Sequence, residues 1–381
     1  MLWMSGHGRD GDALMPSTTS VRTSAERPKL QVLLSLSPPD GTTRYVVQLV
    51  EGAPVEVSYS FFSWRTALVG DYNVFHVHWP EFLFRGHNAI DRLYKASLFV
   101  ALLLRLKISR IPMVRTVHNR SPHEAGPQIE RALLRLCDAW TSLFIRLNAA
   151  TDLGKQRNVV TILHGHYKDR FRTFALPSAR AGRLLYFGLI RPYKGVDDLL
   201  IAFSELEGDG VELRIVGKPT ADLGNMVLCA CRADPRISAR LEFVADEVLV
   251  DEIGLAEFVV LPYREMENSG SLLVALSLSR AVVAPDTTVN RLIAAEVGPE
   301  WLFLYKGPLT GDVLQRARAK FRALPPGAAP SLEGRDWKRL GEAHYQAYVQ
   351  AVRARRSGFA RGRARFARAQ SQDYRKPRAG T

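Results

Sequence analysis

The chain of 381 residues is long enough for two domains, and its apolar content of 46% suffices to bury a full core. Its three cysteines, Cys137, Cys229 and Cys231, show neither a C-x-x-C pair nor zinc-site spacing, which argues against a disulfide framework and favours a reduced, cytoplasmic setting. No apolar run reaches the roughly 20 residues of a membrane-spanning helix, and the N-terminus lacks the pattern of a signal peptide.

The net charge of +14 is unevenly distributed along the chain. Residues 353–381 contain ten Lys and Arg and one acidic residue, so this tail carries +9 and leaves +5 for the remainder. A like-charged segment is typical of a disordered arm that could meet an anionic membrane or a nucleic acid, or stay solvated without a ligand. We therefore predict disorder for 353–381, and also for 1–28, whose start is rich in Gly, Ser and Thr.

The first half of the chain alternates between strand and helix patterns. Strands are predicted at 29–36, 55–60, 72–78, 112–117, 142–147 and 159–163. Helices are predicted between them at 45–49, 89–106 and 129–136. We assign 29–163 to a first domain and the aperiodic segment 164–182 to the connection that follows it.

A second alternating series occupies 183–334. Its strands are predicted at 183–188, 211–216, 240–244, 257–261 and 281–284, and its helices at 196–206, 221–232, 247–254 and 270–278. The pattern weakens after Pro285, and a last helix at 335–352 is expected to pack back on the first domain. Two such series predict an α/β protein with two doubly wound, Rossmann-like domains that face a cleft.

Polar residues stand where several predicted strands end. Ligands of doubly wound sheets bind beyond the carboxyl ends of the strands. The residues at these positions are His78, His118, His164, Arg191, Gly217 and Asn268. Their shared position predicts that they belong to one site.

The turns of the second domain are suited to phosphate. Arg191 and Lys194 lie between a strand and a helix, and Asn268, Ser269 and Gly270 stand at the start of another helix. The N–H groups and the positive dipole of a helix start attract anions, and two cations at the same place favour a diphosphate. The alternative is a pair of surface cations and an ordinary helix cap.

Two further residues of the second domain are donor-binding candidates. Glu267 precedes the helix start and could accept hydrogen bonds from sugar hydroxyls, and Gly217 ends a strand. The segment Gly217-Lys218-Pro219-Thr220 lacks the earlier glycine of a P-loop, and no G-x-G-x-x-G follows the first strand. We predict neither a metal site nor a bound cofactor.

The first domain offers candidates for acceptor binding and proton transfer. His78, Trp79 and Glu81 follow a buried strand and could contact an acceptor, Trp79 by stacking on a sugar ring; strand-end packing is the alternative. His118 ends the next strand, and its imidazole suits proton transfer or hydrogen bonding to a sugar. Structural roles are predicted for the histidines of the connection, His164 and His166.

These segments together resemble the glycosyltransferases of the GT-B fold, in particular the family-4-like bacterial group. GLIRPYKGVDDLLIAF resembles that group's donor-diphosphate segment, LRIVGKP its next strand and turn, and ENSGSLLVALSLSRAVVAP its donor-sugar loop and helix. VFHVHWPE and VRTVHN resemble strands of its acceptor domain. The family's usual pair of glutamates would fall near Met266 and Val274, neither of which is acidic, and the Ser-Gly pair resembles β-mannosyl-type relatives.

The resemblance implies that a hexose is moved from a nucleotide diphosphate sugar to an acceptor, such as a glycolipid or exopolysaccharide precursor. Arg191, Lys194 and the helix start at Ser269 and Gly270 would stabilise the departing nucleotide diphosphate without a metal, and His118 would act as base or position the sugar. A peripheral contact with the inner face of an anionic membrane is compatible with this interpretation, and no specific nucleic acid is expected. The alternatives are a non-catalytic nucleotide-sugar or nucleic-acid binder and a nucleotide-sugar epimerase.

Overall fold

The molecule is built around two β-sheets, each made of parallel strands. The computed structural model describes residues 27–39, 44–119, 126–154 and 157–373, with the backbone alone at residue 44 and at 356–373. Within these residues the chain forms two sheets of six parallel strands each, with helices in the connections. The predicted α/β class with two doubly wound sheets is confirmed, whereas the domain boundaries themselves remain predictions.

The first six strands of the chain form one sheet, and the last six form the other. The first sheet consists of β1 (Leu30–Leu34), β2 (Val57–Ser60), β3 (Val74–His78), β4 (Met113–Val117), β5 (Leu143–Arg146) and β6 (Val159–Thr161). The second consists of β7 (Arg183–Phe187), β8 (Glu212–Val216), β9 (Ile237–Arg240), β10 (Phe258–Val260), β11 (Val282–Pro285) and β12 (Leu302–Tyr305).

Each sheet has one point where the strand order reverses. The first sheet runs β2-β1-β3-β4-β5-β6 and the second β12-β11-β10-β7-β8-β9. The reversal lies between β1 and β3 in the first and between β7 and β10 in the second. Such a switch point leaves a crevice at the carboxyl ends of the two strands, because their connections leave in opposite directions. The topology therefore places ligand sites beside the ends of β3 and β7.

Twelve helices connect and cover the sheets within the described ranges. They are α1 (Arg44–Glu51), α2 (Trp64–Val69), α3 (Ala89–Ile108), α4 (Gln128–Trp140), α5 (Lys168–Phe171), α6 (Val196–Ser204), α7 (Ala221–Ala233), α8 (Asp246–Leu255), α9 (Gly270–Ser277), α10 (Thr288–Val297), α11 (Gly311–Phe321) and α12 (Trp337–Asp373). Short 3-10 turns occur at Pro80–Leu83, Pro192–Lys194, Pro299–Trp301 and Glu333–Arg335. None of the helices in the described part of the chain is both long and apolar enough to cross a bilayer.

The first sheet is buried on both faces. Successive side chains of a strand point to opposite faces, so Val32 and Leu34 of β1 pack with α1 and α12, while Leu33 packs with Phe99 of α3. Tyr348 of α12 belongs to the first of these clusters and is fully buried. The C-terminal helix thus returns to the first domain, as predicted.

Helix α12 continues beyond the predicted helix end at 352. The backbone of 353–373 is helical, where the sequence predicted a disordered tail, whereas 1–26 and 374–381 lie outside the described residues. Ala and Arg dominate this stretch and have high intrinsic helix propensity, so the helix can extend past its packed part. Like charge alone was therefore a poor guide to its backbone conformation.

The weakest predictions concern the later part of the second domain. The strand predicted at 240–244 is instead formed by Ile237–Arg240, which is β9. This edge strand pairs only with β8 and contains no apolar run, so the sequence pattern did not mark its position. The apolar residues that suggested a strand, such as Val244, instead line a surface cavity. Helices α2, α5, α10 and α11 and strand β12 were not predicted, since short or strongly charged segments show weak periodicity.

Candidate active site

A cavity of about 360 Å³ lies between the carboxyl ends of the two sheets. We call it the central cavity. Seven predicted site residues line it: Trp79, His118, Lys194, Glu267, Asn268, Ser269 and Gly270. The structure therefore joins residues of both predicted domains in one space.

Residues of the first domain form one wall of the cavity, the first wall, and residues of the second domain form the second wall. His118 lies at the centre of the first wall. The ring of Trp79 stacks on the His118 ring with centroids 3.9 Å apart and planes inclined by 18°. Tyr45 meets the same ring edge-on at 5.1 Å. On its far side, His118 Nε2 lies 2.9 Å from Nδ1 of His78. The imidazole is thus held in one orientation by two aromatic rings and one hydrogen bond.

Trp79 is held in a backbone conformation that bulky residues rarely adopt. Its φ of 43° and ψ of 66° lie in the left-handed region, although it is not glycine. The residue before it is fixed, because the His78 backbone donates to Ser35 Oγ at 2.8 Å and accepts from it at 2.9 Å. Strain of this kind is typical of functional sites, and here it turns the indole back over His118.

Burial keeps His118 and His78 neutral and sets where their protons lie. It lowers the pKa of His118 well below its usual range and that of His78 to about 3. If His118 donated to His78, the proton of His78 would sit on its Nε2, which is buried and has no partner within the described ranges. An unpaired buried N–H costs more than a bare lone pair, so we assign His78 Nδ1 as donor and leave the His118 proton on Nδ1. His118 is then a hydrogen-bond donor toward a ligand.

Lys194 forms the cationic part of the second wall. It ends a 3-10 turn, and Gly195 after it has a φ of 63°, which suits glycine. Lys194 Nζ donates to the hydroxyl of Tyr263 at 3.0 Å and lies 4.6 Å from the centre of that ring. The ammonium is therefore positioned at the cavity before any ligand binds.

Arg191 does not line the central cavity. Its Nη1 donates to the carbonyl oxygens of Ile190 at 2.8 Å and of Lys218 at 3.1 Å. It therefore ties together the turns that follow β7 and β8, since a guanidinium has several donors for unpaired carbonyls. Its predicted part in donor binding would require these bonds to change.

The start of α9 also belongs to the second wall of the cavity. Ser269 is the N-cap, and its side chain accepts a hydrogen bond from the N–H of Leu272 at 3.2 Å. Asn268 donates to the carbonyl oxygen of His118 at 2.7 Å and accepts from Asn148 at 2.9 Å. Asn268 is therefore a polar bridge between the two walls as well as part of the cavity surface.

Two glycines allow the turns of the second sheet to approach each other. A Cβ at Gly217 (φ 153°) would overlap the carbonyl oxygen of Gly188, so Gly217 has a packing role and lines only a neighbouring cavity. Gly188 (φ 111°) lines the central cavity, where a Cβ would stand 3.2 Å from Ser271 Oγ and 3.6 Å from Lys194 Nζ. Gly188 was not predicted, although a glycine directly after a strand could have indicated it.

Two of the predicted acceptor-binding residues lie behind the cavity wall. His78 is 1% exposed and Glu81 8% exposed, and neither lines the central cavity, so Trp79 is the acceptor candidate that the cavity reaches. The structure thus differs from the prediction of direct contact, because β3 is buried over its whole length and the following turn points Glu81 inward.

The acidic residues of the cavity are displaced from the family's usual positions. Glu265 and Glu267 line the cavity on either side of Met266, and Val274 lines it one turn inside α9. Met266 is buried, and its sulfur accepts a hydrogen bond from the Asn290 amide at 3.3 Å. Carboxylate residues therefore line the cavity, but not at the positions of the usual pair.

The sequence did not indicate two aromatic residues of the cavity, Tyr45 and Tyr167. His164 also lines it; the sequence placed this residue among the strand-end positions of one site but favoured a structural role for it. Tyr45 is the second residue of α1, and its buried hydroxyl has no hydrogen-bond partner among the described residues. His164 and Tyr167 lie in the aperiodic connection, where no strand or helix pattern could indicate their direction. Their position depends on how the two sheets are placed against each other.

Solved structures similar to this chain identify the fold. The Anabaena protein Alr3699/HepE in complex with UDP-glucose has a TM-score of 0.56 and 13% identity, with coverage of 87% of this chain and 99% of that one. AviGT4, a glycosyltransferase involved in avilamycin A biosynthesis, has a TM-score of 0.52 and 14% identity, with coverage of 85% and 98%. The fold is that of the GT-B glycosyltransferases, as the sequence resemblance implied.

A curated relative identifies the family. The chain is 45% identical over 334 residues to the GDP-mannose:glycolipid 4-beta-D-mannosyltransferase of Xanthomonas campestris pv. campestris, with coverage of 87% of this chain and 95% of that enzyme. None of the family models compared with the chain matches it. The chain belongs to the family of this mannosyltransferase and is a glycosyltransferase. The predicted transferase activity is thus confirmed over the two alternatives, a non-catalytic binder and an epimerase.

Proposed function

We propose that this glycosyltransferase moves a mannosyl group from GDP-mannose to a glycolipid. The proposal depends on one observation: the chain is 45% identical to an enzyme whose name states that reaction, and the match covers 95% of that enzyme. The central cavity supports it, because cationic and imidazole groups face each other across a space of about 360 Å³.

On the donor side, Lys194 and the start of α9 would hold the diphosphate. Lys194, Gly270 and Ser271 line the same cavity, and the last two stand in the first turn of α9. Negative charge grows on the diphosphate as the bond to the sugar breaks, and preorganised donors stabilise that charge most strongly. Glu265 and Glu267 would accept hydrogen bonds from the hydroxyls of the sugar.

On the acceptor side, Trp79 and His118 would contact the sugars. Trp79 offers a ring face for stacking, and His118 in the tautomer assigned above donates from Nδ1. Asn268 links His118 to the donor side through its bond to the His118 carbonyl oxygen. Binding on one wall would therefore position groups on the other.

Donor screening tests this proposal. GDP-mannose at about 100 times its Kd should raise the free energy of unfolding by about 2.7 kcal/mol, which is several degrees in Tm. Mannose should then be transferred to a lipid-linked oligosaccharide acceptor. Stabilisation by UDP-glucose but not by GDP-mannose would overturn the choice of donor, and product formed without any acceptor would overturn the choice of reaction.

We further propose that the reaction needs neither a metal nor a cofactor, because Lys194 and the α9 N–H groups supply positive potential at the diphosphate. In the described residues, one cluster has metal-ligating groups close together, namely His166, Asp169 and Asp336. None of these lines the central cavity, and Asp336 accepts hydrogen bonds from the N–H groups of Lys338 and Arg339. Turnover should survive dialysis against a chelator; activity restored only by added Mg²⁺ would contradict the proposal.

We also propose that α3 rests on an anionic membrane surface at the cytoplasmic face. Its inner side packs in the core, but large apolar side chains at helical spacing remain exposed on the outer side: Ile90 82%, Leu93 63%, Tyr94 63%, Leu104 47% and Ile108 79%. Exposed clusters of large apolar side chains, here near both ends of α3, mark protein or membrane interaction surfaces. Arg92 and Lys107 are exposed on the same helix, and Arg110 is exposed just after its end; these cations would favour anionic lipid.

Vesicle flotation tests the membrane contact. The protein should float with phosphatidylglycerol vesicles and much less with neutral phosphatidylcholine vesicles. The double change Ile90→Ser with Ile108→Ser should abolish flotation at physiological salt, because α3 loses its two most exposed large apolar side chains. Ile201→Ser is the matched control, since Ile201 is 61% exposed on α6 of the second domain. Equal flotation of all three proteins would remove α3 from the proposal.

A further inference from the structure

His164 presents a bare nitrogen to the central cavity. It follows β6, is 7% exposed, and lines the cavity. Its Nδ1 lies 3.0 Å from the carbonyl oxygen of Gly165. A carbonyl oxygen can only accept, so Nδ1 carries the proton and Nε2 of the neutral ring carries a lone pair. Nε2 makes no hydrogen bond within the described part of the chain.

This nitrogen faces the start of α9. A Cβ placed on Gly270 would stand 3.9 Å from His164 Nε2 and 3.6 Å from the hydroxyl of Tyr167. Because residue 270 is a glycine, no side chain occupies this space beside Nε2. The start of α9 is also where the proposed function places the diphosphate, so the nitrogen lies beside the region where the sugar bond would break.

The backbone around His164 is held rigidly. Arg335 donates to the His164 carbonyl oxygen at 2.8 Å and is itself held by Glu296 at 2.7 and 2.6 Å. The indole N–H of Trp337 donates to the His166 carbonyl oxygen at 2.6 Å. A base that must meet a reacting hydroxyl within hydrogen-bond reach benefits from such positioning.

We propose that Nε2 of His164 accepts the proton that the acceptor hydroxyl loses during sugar transfer. The hydroxyl oxygen bonds to the anomeric carbon of the donor, and the bond from that carbon to the diphosphate oxygen breaks with both electrons leaving on the nucleotide. The proton passes to Nε2, and the imidazolium later releases it to solvent. The inference rests on the proposed function, and it gives His164 and His118 opposite roles, acceptor and donor.

The charged and titratable neighbours of His164 keep its ring neutral before reaction. Burial lowers its pKa to about 4, and the Arg335 guanidinium contributes in the same direction. Tyr45 and Tyr167 pack against the ring, and His118 is the nearest other imidazole of the cavity. A bound diphosphate would bring negative charge to the same place and so stabilise the imidazolium that forms when Nε2 takes up the proton of the acceptor hydroxyl.

Two substitutions separate this role from a structural one. His164→Asn keeps an amide donor near the position of Nδ1 for the Gly165 carbonyl, and His164→Gln places an amide near the position of Nε2; neither is a base. We expect both variants to retain the Tm increase with GDP-mannose, while GDP release in the presence of a lipid-linked oligosaccharide falls by about 100-fold or more. His166→Asn, two residues along and outside the cavity lining, is the matched control and should keep wild-type turnover.

Several outcomes would overturn the inference. Turnover of His164→Asn within about threefold of wild type would show that only the bond to Gly165 matters. If both variants fail to fold, histidine ¹⁵N NMR of the wild-type protein decides, because a proton on Nε2 instead of Nδ1 in the resting enzyme excludes the role. A wild-type protein that is not stabilised by GDP-mannose would instead refute the proposed function.

Discussion

At the scale of single residues, the central cavity depends on hydrogen bonds that decide which groups remain available to a ligand. His118 is oriented by His78 and Trp79, and Lys194 is held by Tyr263. Arg191 was predicted beside Lys194, yet its guanidinium is engaged by two carbonyl oxygens. Sequence proximity therefore says less about a role than the partners that each side chain finds.

The contrast between Lys194 and Arg191 gives a prediction at this scale. Lys194→Ala removes the ammonium from the cavity and should raise the Kd for GDP by about 10- to 100-fold, since a charged hydrogen bond contributes roughly 1.5–3 kcal/mol. Arg191→Ala should change that Kd much less and lower Tm slightly, because it unties the turns after β7 and β8. Isothermal titration with GDP compares the two; an equal loss in both variants would mean that Arg191 also reaches the diphosphate.

At the scale of secondary-structure elements, α12 packs against one face of the first sheet. The hydroxyl of Tyr348 lies 2.8 Å from His76 Nδ1 and 3.1 Å from the hydroxyl of Tyr59, and all three side chains belong to the packed interface of α12 with the sheet. His76 also meets Thr116 of β4 at 2.8 Å. The helix is thus joined to β3 and β4 through a buried polar network, in addition to its apolar packing.

Removing one hydroxyl from this network should be costly. Tyr348→Phe leaves His76 Nδ1 and the Tyr59 hydroxyl without their partner and should lower the free energy of unfolding by about 1–3 kcal/mol. Tyr345→Phe is the control, because that hydroxyl makes one longer bond, at 3.3 Å to the Pro28 carbonyl oxygen. Urea unfolding of both variants provides the measurement; equal stability of Tyr348→Phe and wild type would show that water replaces the lost partner.

Elements were predicted well where their patterns were strong. The buried strands β1, β3, β4, β5 and β7 are largely apolar, and α3 and α9 had helical length or a clear cap. The polar edge strand β9 was displaced and β12 was missed, because an edge strand pairs on one side only and needs less apolar surface. Of the site, the sequence indicated Trp79, His118 and Lys194, because strand ends mark the ligand side of a parallel sheet.

At the scale of the whole molecule, buried histidines make stability depend on pH. Burial lowers the pKa of His76 and His118 well below the usual range, that of His78 to about 3 and that of His344 to about 4. In the unfolded chain these groups titrate near 6.5. The unfolded state therefore binds more protons as pH falls below 6.5, and folding stability, fully present above that pH, is lost progressively toward the folded pKa values.

Thermal melts between pH 8 and 5 test this expectation. Tm should be nearly constant above pH 7 and fall steeply below 6.5, with each histidine contributing up to about tenfold in the folding equilibrium per pH unit. His344→Asn keeps a donor for the Leu340 carbonyl oxygen but does not titrate, so its dependence should be shallower by about one proton. A Tm that stays unchanged down to pH 5 would contradict the assignment of neutral buried imidazoles.

The sequence by itself determined the class of fold and the two series of strands, and it predicted the turns proposed to hold a diphosphate, because hydrophobic periodicity and helix caps are local properties. Only the tertiary structure decided that His78 supports His118, that Arg191 ties two turns and that His164 opens onto the cavity. Each of these depends on partners far away in the chain, such as Asn268 at the His118 carbonyl and Arg335 at the His164 carbonyl. The physical reason is that a side chain's protonation and direction follow from burial and hydrogen-bond partners, which exist only after the two sheets and α12 have come together.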